Sequence, residues 1–193
     1  YEAIEDEDHL VHVPYHSYES VIRFFEEAVH DPYVTHIKIV QYRVAQESRI
    51  MDALTEAVKH GKQVSVFIEV KARFDEEANL KWGEKLEQAG INVHYSMPGV
   101  KVHSKIALIR RFVNRQSKLY TYLSTGNFHE DTVKLYSDLG LFTADRRITQ
   151  EVARVFSFLE TVQSPNKDFE HLLVGQFNLR SGLEDLIRYE IEE

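Results

Sequence analysis

The hydrophobic pattern switches repeatedly between a period near 3.6 and a period of 2. From Ser17, a plausible N-cap, the apolar residues Val21, Phe24, Phe25 and Ala28 recur at helical spacing until Asp31-Pro32 stops them. Val34 to Tyr42 reads as a strand with Arg43 at its C-terminal end. Ser48 caps a second helix carrying Ile50, Leu54, Ala57 and Val58, which Gly61 ends. Gln63 to Val70 is a second strand with Val64, Val66 and Ile68 facing one way, and its continuation puts Glu69, Lys71 and Arg73 on a common side. Asp75 opens a third helix with Glu76 and Glu77 in its first turn, Gly90 closes it, and Ile91 to Tyr95 is a third short strand.

This strand–helix–strand–helix–strand order predicts an α/β fold with a parallel sheet and right-handed crossovers. Ligands of such sheets bind beyond the carboxyl ends of the strands. Arg43 and Arg73 both stand at such ends, so the topology predicts that they converge on one edge. Each is otherwise read as a surface salt-bridge residue, Glu69 or Asp75 being within reach of Arg73 along the chain.

The next stretch, Gly99 to Ile109, alternates Val100, Val102, Ile106 and Leu108 with Lys101, His103, Lys105 and Ala107. Read as a strand, it places Lys101, His103 and Lys105 on one face. Two flanking ammonium groups disfavour imidazolium, so the ring is expected to stay neutral and nucleophilic, and the same cations attract an oxyanion. The competing reading is the solvated face of an edge strand. Arg110, Arg111 and Arg115 are assigned to a hairpin tip, with Lys118 to Leu123 as the return strand. Ser124-Thr125-Gly126-Asn127 is a turn string whose backbone N–H groups suit a phosphate. Tyr136 to Phe142 includes a further strand, and Thr149 or a neighbour caps a helix bearing Val152, Val155, Phe156 and Leu159. Residues 1–16 are read as a lead-in segment without regular pattern. Residues 161–170 are read as a polar linker, followed by a tail whose helix has Leu183, Leu186, Ile187 and Ile191 on one stripe.

The 193 residues suit one domain with a short extension, and 43% hydrophobic with 28% charged residues is ordinary for a soluble globular chain. The net charge is -8, yet no Asp or Glu occurs from Gln88 through His129, an interval holding Lys101, Lys105, Arg110, Arg111, Arg115 and Lys118. Positive charge gathered in one interval of an acidic protein points to a focused polyanion site, and the acidic remainder argues against a nucleic-acid groove. The absence of cysteine excludes disulfides and thiolate metal sites and fits a reducing, cytoplasmic compartment. No apolar run reaches membrane-spanning length. Walker-type and GxGxxG strings are lacking, and no His/Asp/Glu spacing suggests a built-in metal site. Trp82 is assigned to packing, and His94, His129 and the His9, His12, His16 group to the surface. Tyr at position 1 predicts an excised piece of a longer protein.

His103-Ser104-Lys105 with Asn127 downstream resembles the HxK and Asn of the phospholipase D superfamily. The Asp usual five positions after the Lys is replaced by Arg110, which argues against phosphodiester hydrolysis. Tyr42-Arg43, the string Lys71 to Asn79, Gly99 to Lys105, Thr125 to Phe128 and Tyr136 to Leu141 together resemble polyphosphate kinases of the first type, in order over nearly the whole chain. The resemblance implies a mixed sheet flanked by helices, forming the first of two phospholipase D-like catalytic halves. The tail from residue 171 would be the truncated start of the second.

The resemblance also implies reversible transfer of the ATP γ-phosphate to polyphosphate through a phosphohistidine on His103, in a cytoplasmic, oligomeric protein peripheral to the membrane at most. It assigns nucleotide contact to Tyr136 and associates Arg43 and Arg73 with Mg²⁺ and phosphate. A guanidinium has no lone pair to give a metal, so these two are read as clamps on the phosphate oxygens that hold Mg²⁺. Lys105 joins them, with Lys101 and Asn127 as further donors. With half of the site missing, residues 1–193 alone are expected to bind polyphosphate weakly and to turn nothing over. The competing functions are a phospholipase D-like phosphodiesterase or nuclease and a non-catalytic polyanion-binding module.

Overall fold

The computed structural model describes residues 1–42, 47–69, 76–96 and 101–193, the side chains of Glu76 and Ala78 excepted. The first residues already carry order. A short helix α1 (Glu2–Asp6) leads into strand β1 (His9–Val13), so the lead-in expected over residues 1–16 is instead an edge of the sheet. Val11 and Val13 alternate with His12 and are buried, a pattern too short to stand out beside Pro14. Helix α2 (Glu19–His30) buries Val21, Phe24, Phe25 and Ala28 as the spacing requires. It begins one residue later than a Ser17 cap implies, although the Ser17 hydroxyl still accepts the Glu19 N–H at 3.2 Å.

Strand β2 (Val34–Gln41) is followed by α3 (Arg49–Lys59), whose N-cap Ser48 accepts the Met51 N–H as expected. Gly61, at φ +76°, then supplies the left-handed turn into β3 (Gln63–Ile68). Helix α4 (Glu76–Gln88) and strand β4 (Asn92–Tyr95) complete the two crossovers. The antiparallel half adds β5 (Lys105–Val113), β6 (Gln116–Ser124) and β7 (Asp138–Thr143). Helix α5 (Arg146–Thr161) starts three residues before Thr149. Asp145 caps it by accepting the Arg147 N–H, and Thr149 lies buried inside it. Helix α6 (Leu179–Glu192) buries none of its residues.

Among the described residues the seven strands form one mixed sheet in the order β1-β7-β6-β5-β2-β3-β4. β2, β3 and β4 are mutually parallel, as the sequence predicts, while β5 runs antiparallel to β2. Period-2 alternation sorts side chains between two layers. Ile37 and Ile39 of β2, Val64, Val66 and Ile68 of β3, and Ala107 and Ile109 of β5 join the core under α2 and α3. Val40, Phe67, Ile106 and Leu108 face the other way and pack against Val152, Phe156 and Leu159 of α5. Lys38, on that second face, sends its ammonium to Glu160 of α5 at 2.7 Å.

Two sequence expectations about charge fail on register. The hairpin tip is Asn114 and Arg115, both at positive φ, whereas Arg110 and Arg111 lie within β5, opposite Leu119 and Lys118. From Lys105 to Arg111 is six residues of strand, roughly 20 Å at ~3.3 Å per residue. The basic interval is therefore split between the two ends of the sheet. At the far end Arg111 is ion-paired with Asp31 at 2.8 Å and faces Glu5 at 3.6 Å, and Lys118 binds Glu5 at 2.5 Å.

Candidate functional site

The C-terminal ends of β2, β3 and β4 lie on the same rim as the start of β5, the end of β6 and the start of β7. That rim gathers Tyr42, Glu69, Ser96, Lys101 to Lys105, Ser124 to Asn127 and Tyr136 to Asp138.

Residues 101–104 precede β5 and are not strand, so Lys101, His103 and Lys105 do not form the stripe that alternation predicts. The reason is a side chain taking the place of a neighbouring strand. Glu69, fully buried at the end of β3, accepts the Val102 N–H on Oε2 at 2.7 Å and the Ser96 hydroxyl on Oε1 at 2.8 Å. The stripe's components nevertheless come together. The His103 ring stands edge-on to the Tyr42 ring, with centroids 4.9 Å apart and planes at 78°. The Lys105 ammonium lies 4.9 Å from the Tyr42 ring centroid and donates to the His103 carbonyl at 2.5 Å. The Lys101 ammonium lies 5.7 Å from that centroid. Lys105 is buried, while Lys101 and His103 are exposed.

Loss of water around the packed imidazole, then the charges of Lys105 and Lys101, hold the His103 pKa below its ordinary value. The ring is thus neutral near pH 7, with a lone pair to give and two cations beside it. Such a site suits attack on an electrophilic centre bearing anionic oxygens.

The Ser124–Asn127 string does not offer the backbone cradle expected of it. The Thr125 N–H is taken by the Leu139 carbonyl at 3.0 Å and the Gly126 N–H by the Ser124 hydroxyl at 3.0 Å. The string closes the ends of β6 and β7, and Asp138 takes part through the Thr125 hydroxyl at 2.8 Å. Asn127 stands on the same rim, where only its side-chain N–H₂ could donate to a phosphate; its buried Oδ1, an acceptor, has no hydrogen-bond partner among the described residues. Tyr136 precedes β7 and is 64% exposed. Its neighbour Ser137 is bonded to His12 of β1 at 2.8 Å. Arg43 and Arg73 lie outside the described residues, as does the stretch from Val70 to Asp75.

Residues 1–165 match the family described as Polyphosphate kinase C-terminal domain 1. The chain belongs to the polyphosphate kinase family. It is 45% identical over 191 residues to the polyphosphate kinase of Escherichia coli K12, which covers 99% of this chain and 28% of the relative. The chain therefore spans little more than a quarter of the length of the curated relatives it matches. The crystal structure of polyphosphate kinase from Porphyromonas gingivalis superposes with a TM-score of 0.88 at 45% identity, over 99% of this chain and 32% of that one. Nuc from Salmonella typhimurium, a phospholipase D family member, superposes with a TM-score of 0.61 at 15% identity over 80% of this chain and 93% of Nuc, which establishes the phospholipase D-like fold of this polyphosphate kinase domain.

Among the described residues no three His, Cys, Asp or Glu side chains converge as a metal cage, and no helix is long and apolar enough to cross a membrane. Sequence reasoning passed over three contributors: Tyr42 as the platform for the imidazole, Ser96, and Asn79. Asn79 is buried in α4 and donates to the carbonyls of both Tyr42 and Glu69 at 3.0 Å. Their signal was present, since Tyr42 and Asn79 lie inside the strings that carry the resemblance, but strings do not show who touches whom.

Proposed function

We propose that this domain, within the longer protein, carries the phosphoryl-accepting histidine of an ATP:polyphosphate phosphotransferase. A ring nitrogen of His103 attacks the γ-phosphorus of ATP. The N–P bond forms as the bond to the β,γ-bridging oxygen breaks, and ADP leaves with that electron pair. A terminal oxygen of polyphosphate then takes the phosphoryl group and returns the lone pair to the ring. The steps run equally in reverse. Mg²⁺ is part of the nucleotide substrate.

The observation that carries this reading is the packing of the His103 imidazole against the Tyr42 ring, with the Lys105 and Lys101 ammonium groups over that same ring, at a strand-end rim. Such chemistry asks mainly for positioning and charge neutralisation. Lys105 and Lys101 supply cations, Asn127 an amide, and Tyr136 an exposed ring for the nucleotide. Arg43 and Arg73 are proposed to clamp phosphate oxygens from the ends of the first two parallel strands. Residues 171–193 are proposed to begin the second catalytic half, with ATP, ADP, inorganic polyphosphate, the rest of the chain and further copies of it as partners.

The test is labelling of the full-length protein with γ-labelled ATP. Wild type takes up acid-labile label and the His103→Ala variant takes up none. Acid-labile label persisting in His103→Ala rules this nucleophile out. Residues 1–193 alone are expected to show no turnover, and steady ATP-dependent polymer synthesis by them would contradict the requirement for a second half.

A further inference from the structure

Glu69 is a fully buried acidic side chain, placed at the end of β3 where three strands stop. Burying a carboxylate is costly unless its oxygens are satisfied. Both oxygens of Glu69 are engaged, one by the Ser96 hydroxyl beyond the end of β4 and one by the Val102 N–H. Its own backbone is fixed as well. Its N–H donates to the Gln41 carbonyl at 3.0 Å, and its carbonyl accepts from Asn79 at 3.0 Å.

Val102 immediately precedes His103. Its side chain is buried in the core beneath α5, so this point of the segment is held through both backbone and side chain. On the other side the His103 carbonyl is held by the Lys105 ammonium. The second donor bond of Asn79 goes to the Tyr42 carbonyl, and the Tyr42 ring is what the imidazole packs against. One asparagine thus ties the residue that fixes the backbone before His103 to the residue that fixes its ring.

We infer that Glu69 is a positioning residue for His103: its carboxylate stands in for a strand partner and sets the height and direction from which the imidazole meets the phosphorus. The inference rests on the nucleophile reading above. A carboxylate suits this task because it only accepts, so it takes two donors at once from two separate elements, through charge-assisted bonds that are shorter and stronger than neutral ones. A displaced near-attack geometry lowers kcat, whereas a lost substrate contact raises KM.

The experiment uses the full-length protein with Glu69→Ala, Glu69→Gln and Glu69→Asp, each checked for wild-type circular dichroism and melting. Steady-state kcat, KM for ATP and the single-turnover labelling rate are measured. Misplacement of about 1 Å is worth on the order of 10²-fold in rate. Glu69→Ala is therefore expected to lose roughly 30- to 100-fold in kcat and labelling rate, with KM for ATP within about three-fold of wild type. Glu69→Gln keeps an oxygen for the Val102 N–H and is expected to recover to within about five-fold of wild type.

Labelling by Glu69→Ala within two-fold of wild type overturns the inference, as does a rise in KM at constant kcat or a Gln variant as impaired as the Ala variant. Should Glu69→Ala fail to fold, Glu69→Asp takes its place: a loss of about ten-fold in kcat at unchanged melting is expected, and a rate within two-fold of wild type overturns the inference. His103→Ala run alongside separates the two readings, since label surviving there removes the nucleophile itself, whereas label lost there but undiminished in Glu69→Ala removes only the positioning role.

Discussion

Tyr42 and His103 meet edge to face at 4.9 Å, and the ammonium groups of Lys105 and Lys101 lie over the same tyrosine ring. A single aromatic residue, 8% exposed at the end of the first parallel strand, thereby sets the distances among the groups that would meet a phosphate. Cation–π contacts of this kind contribute about 0.5–2 kcal/mol each. Tyr42→Phe keeps the ring and is expected to leave the labelling rate within two-fold of wild type. Tyr42→Leu keeps bulk without the ring face and is expected to reduce the rate roughly ten-fold. Single-turnover kinetics check this, and equal rates for the two variants would remove the aromatic platform from the account.

The pH dependence follows from the same cluster. Burial against Tyr42, then Lys105 and Lys101, depress the His103 pKa, so the reactive neutral form persists below the ordinary imidazole range. Labelling is expected to stay level through neutral pH and to fall only as pH drops through the depressed pKa. Lys105→Met or Lys101→Met moves the acid limb to higher pH. The stability sign agrees: the folded state binds the proton less readily than the unfolded chain, so this contribution is complete above the unfolded pKa and is lost as pH falls through the folded one. Rate profiles between pH 4.5 and pH 8 test it, and an acid limb shifted to lower pH by loss of a lysine would contradict it.

The far rim makes an opposite prediction. Arg111 is paired with Asp31 and Glu5 and donates to the Tyr120 hydroxyl at 3.3 Å, while Glu5 is held below the ordinary carboxylate range by hydrogen bonds from Lys118 and Tyr120. Tyr120 itself is pushed up to about 12, chiefly by burial. This cluster ties α1 to the β5–β6 hairpin at the end of the strands remote from His103. Arg111→Ala is expected to lower stability by about 2 kcal/mol, the scale of hydrogen bonds to a charged group. Lys118→Ala, a more exposed pair, should cost under about 1 kcal/mol. Both leave KM for ATP unchanged. Urea denaturation and steady-state kinetics decide it, and a ten-fold rise in KM in either variant would return the far rim to the phosphate site.

The register of these charges shows where the sequence was legible. The Ser48 cap, the Val64, Val66, Ile68 face and the parallel order of three strands follow from local spacing, and the structure has them. The basic interval did not translate, because six residues of strand carry Arg111 to the opposite end of the sheet. The Lys101-His103-Lys105 stripe failed in detail because Glu69, 33 residues away, satisfies the Val102 N–H before any strand neighbour does. The edge strand at His9–Val13 was missed because its partner, β7, lies more than a hundred residues downstream. Local pattern reports periodicity and caps. It does not report which distant carboxylate fills a backbone vacancy.

Glu151 provides a further check on how the tail is attached. It is buried in α5 and accepts the N–H groups of Glu170, His171 and Leu172 at 2.7–3.2 Å. Burial pushes its pKa up, but those three donors and Arg154 outweigh it, and the net shift is downward. The anchor is therefore present above the ordinary carboxylate range and lost as pH falls through the lowered pKa. Glu151→Ala is expected to cost about 2 kcal/mol locally. Hydrogen exchange of the three amides should accelerate roughly thirty-fold while the β5 amides are unaffected. Unchanged protection of residues 170–172 would contradict the anchor.

The proposed phosphoryl acceptor is a ring nitrogen of His103. The most direct test is a crystal structure of the full-length protein with a non-hydrolysable ATP analogue. The γ-phosphorus is expected about 3–3.5 Å from a His103 ring nitrogen, in line with the β,γ-bridging position, with Lys105, Arg43 and Arg73 around its oxygens. A γ-phosphate seated against another histidine, with His103 turned away from it, would rule His103 out as the acceptor.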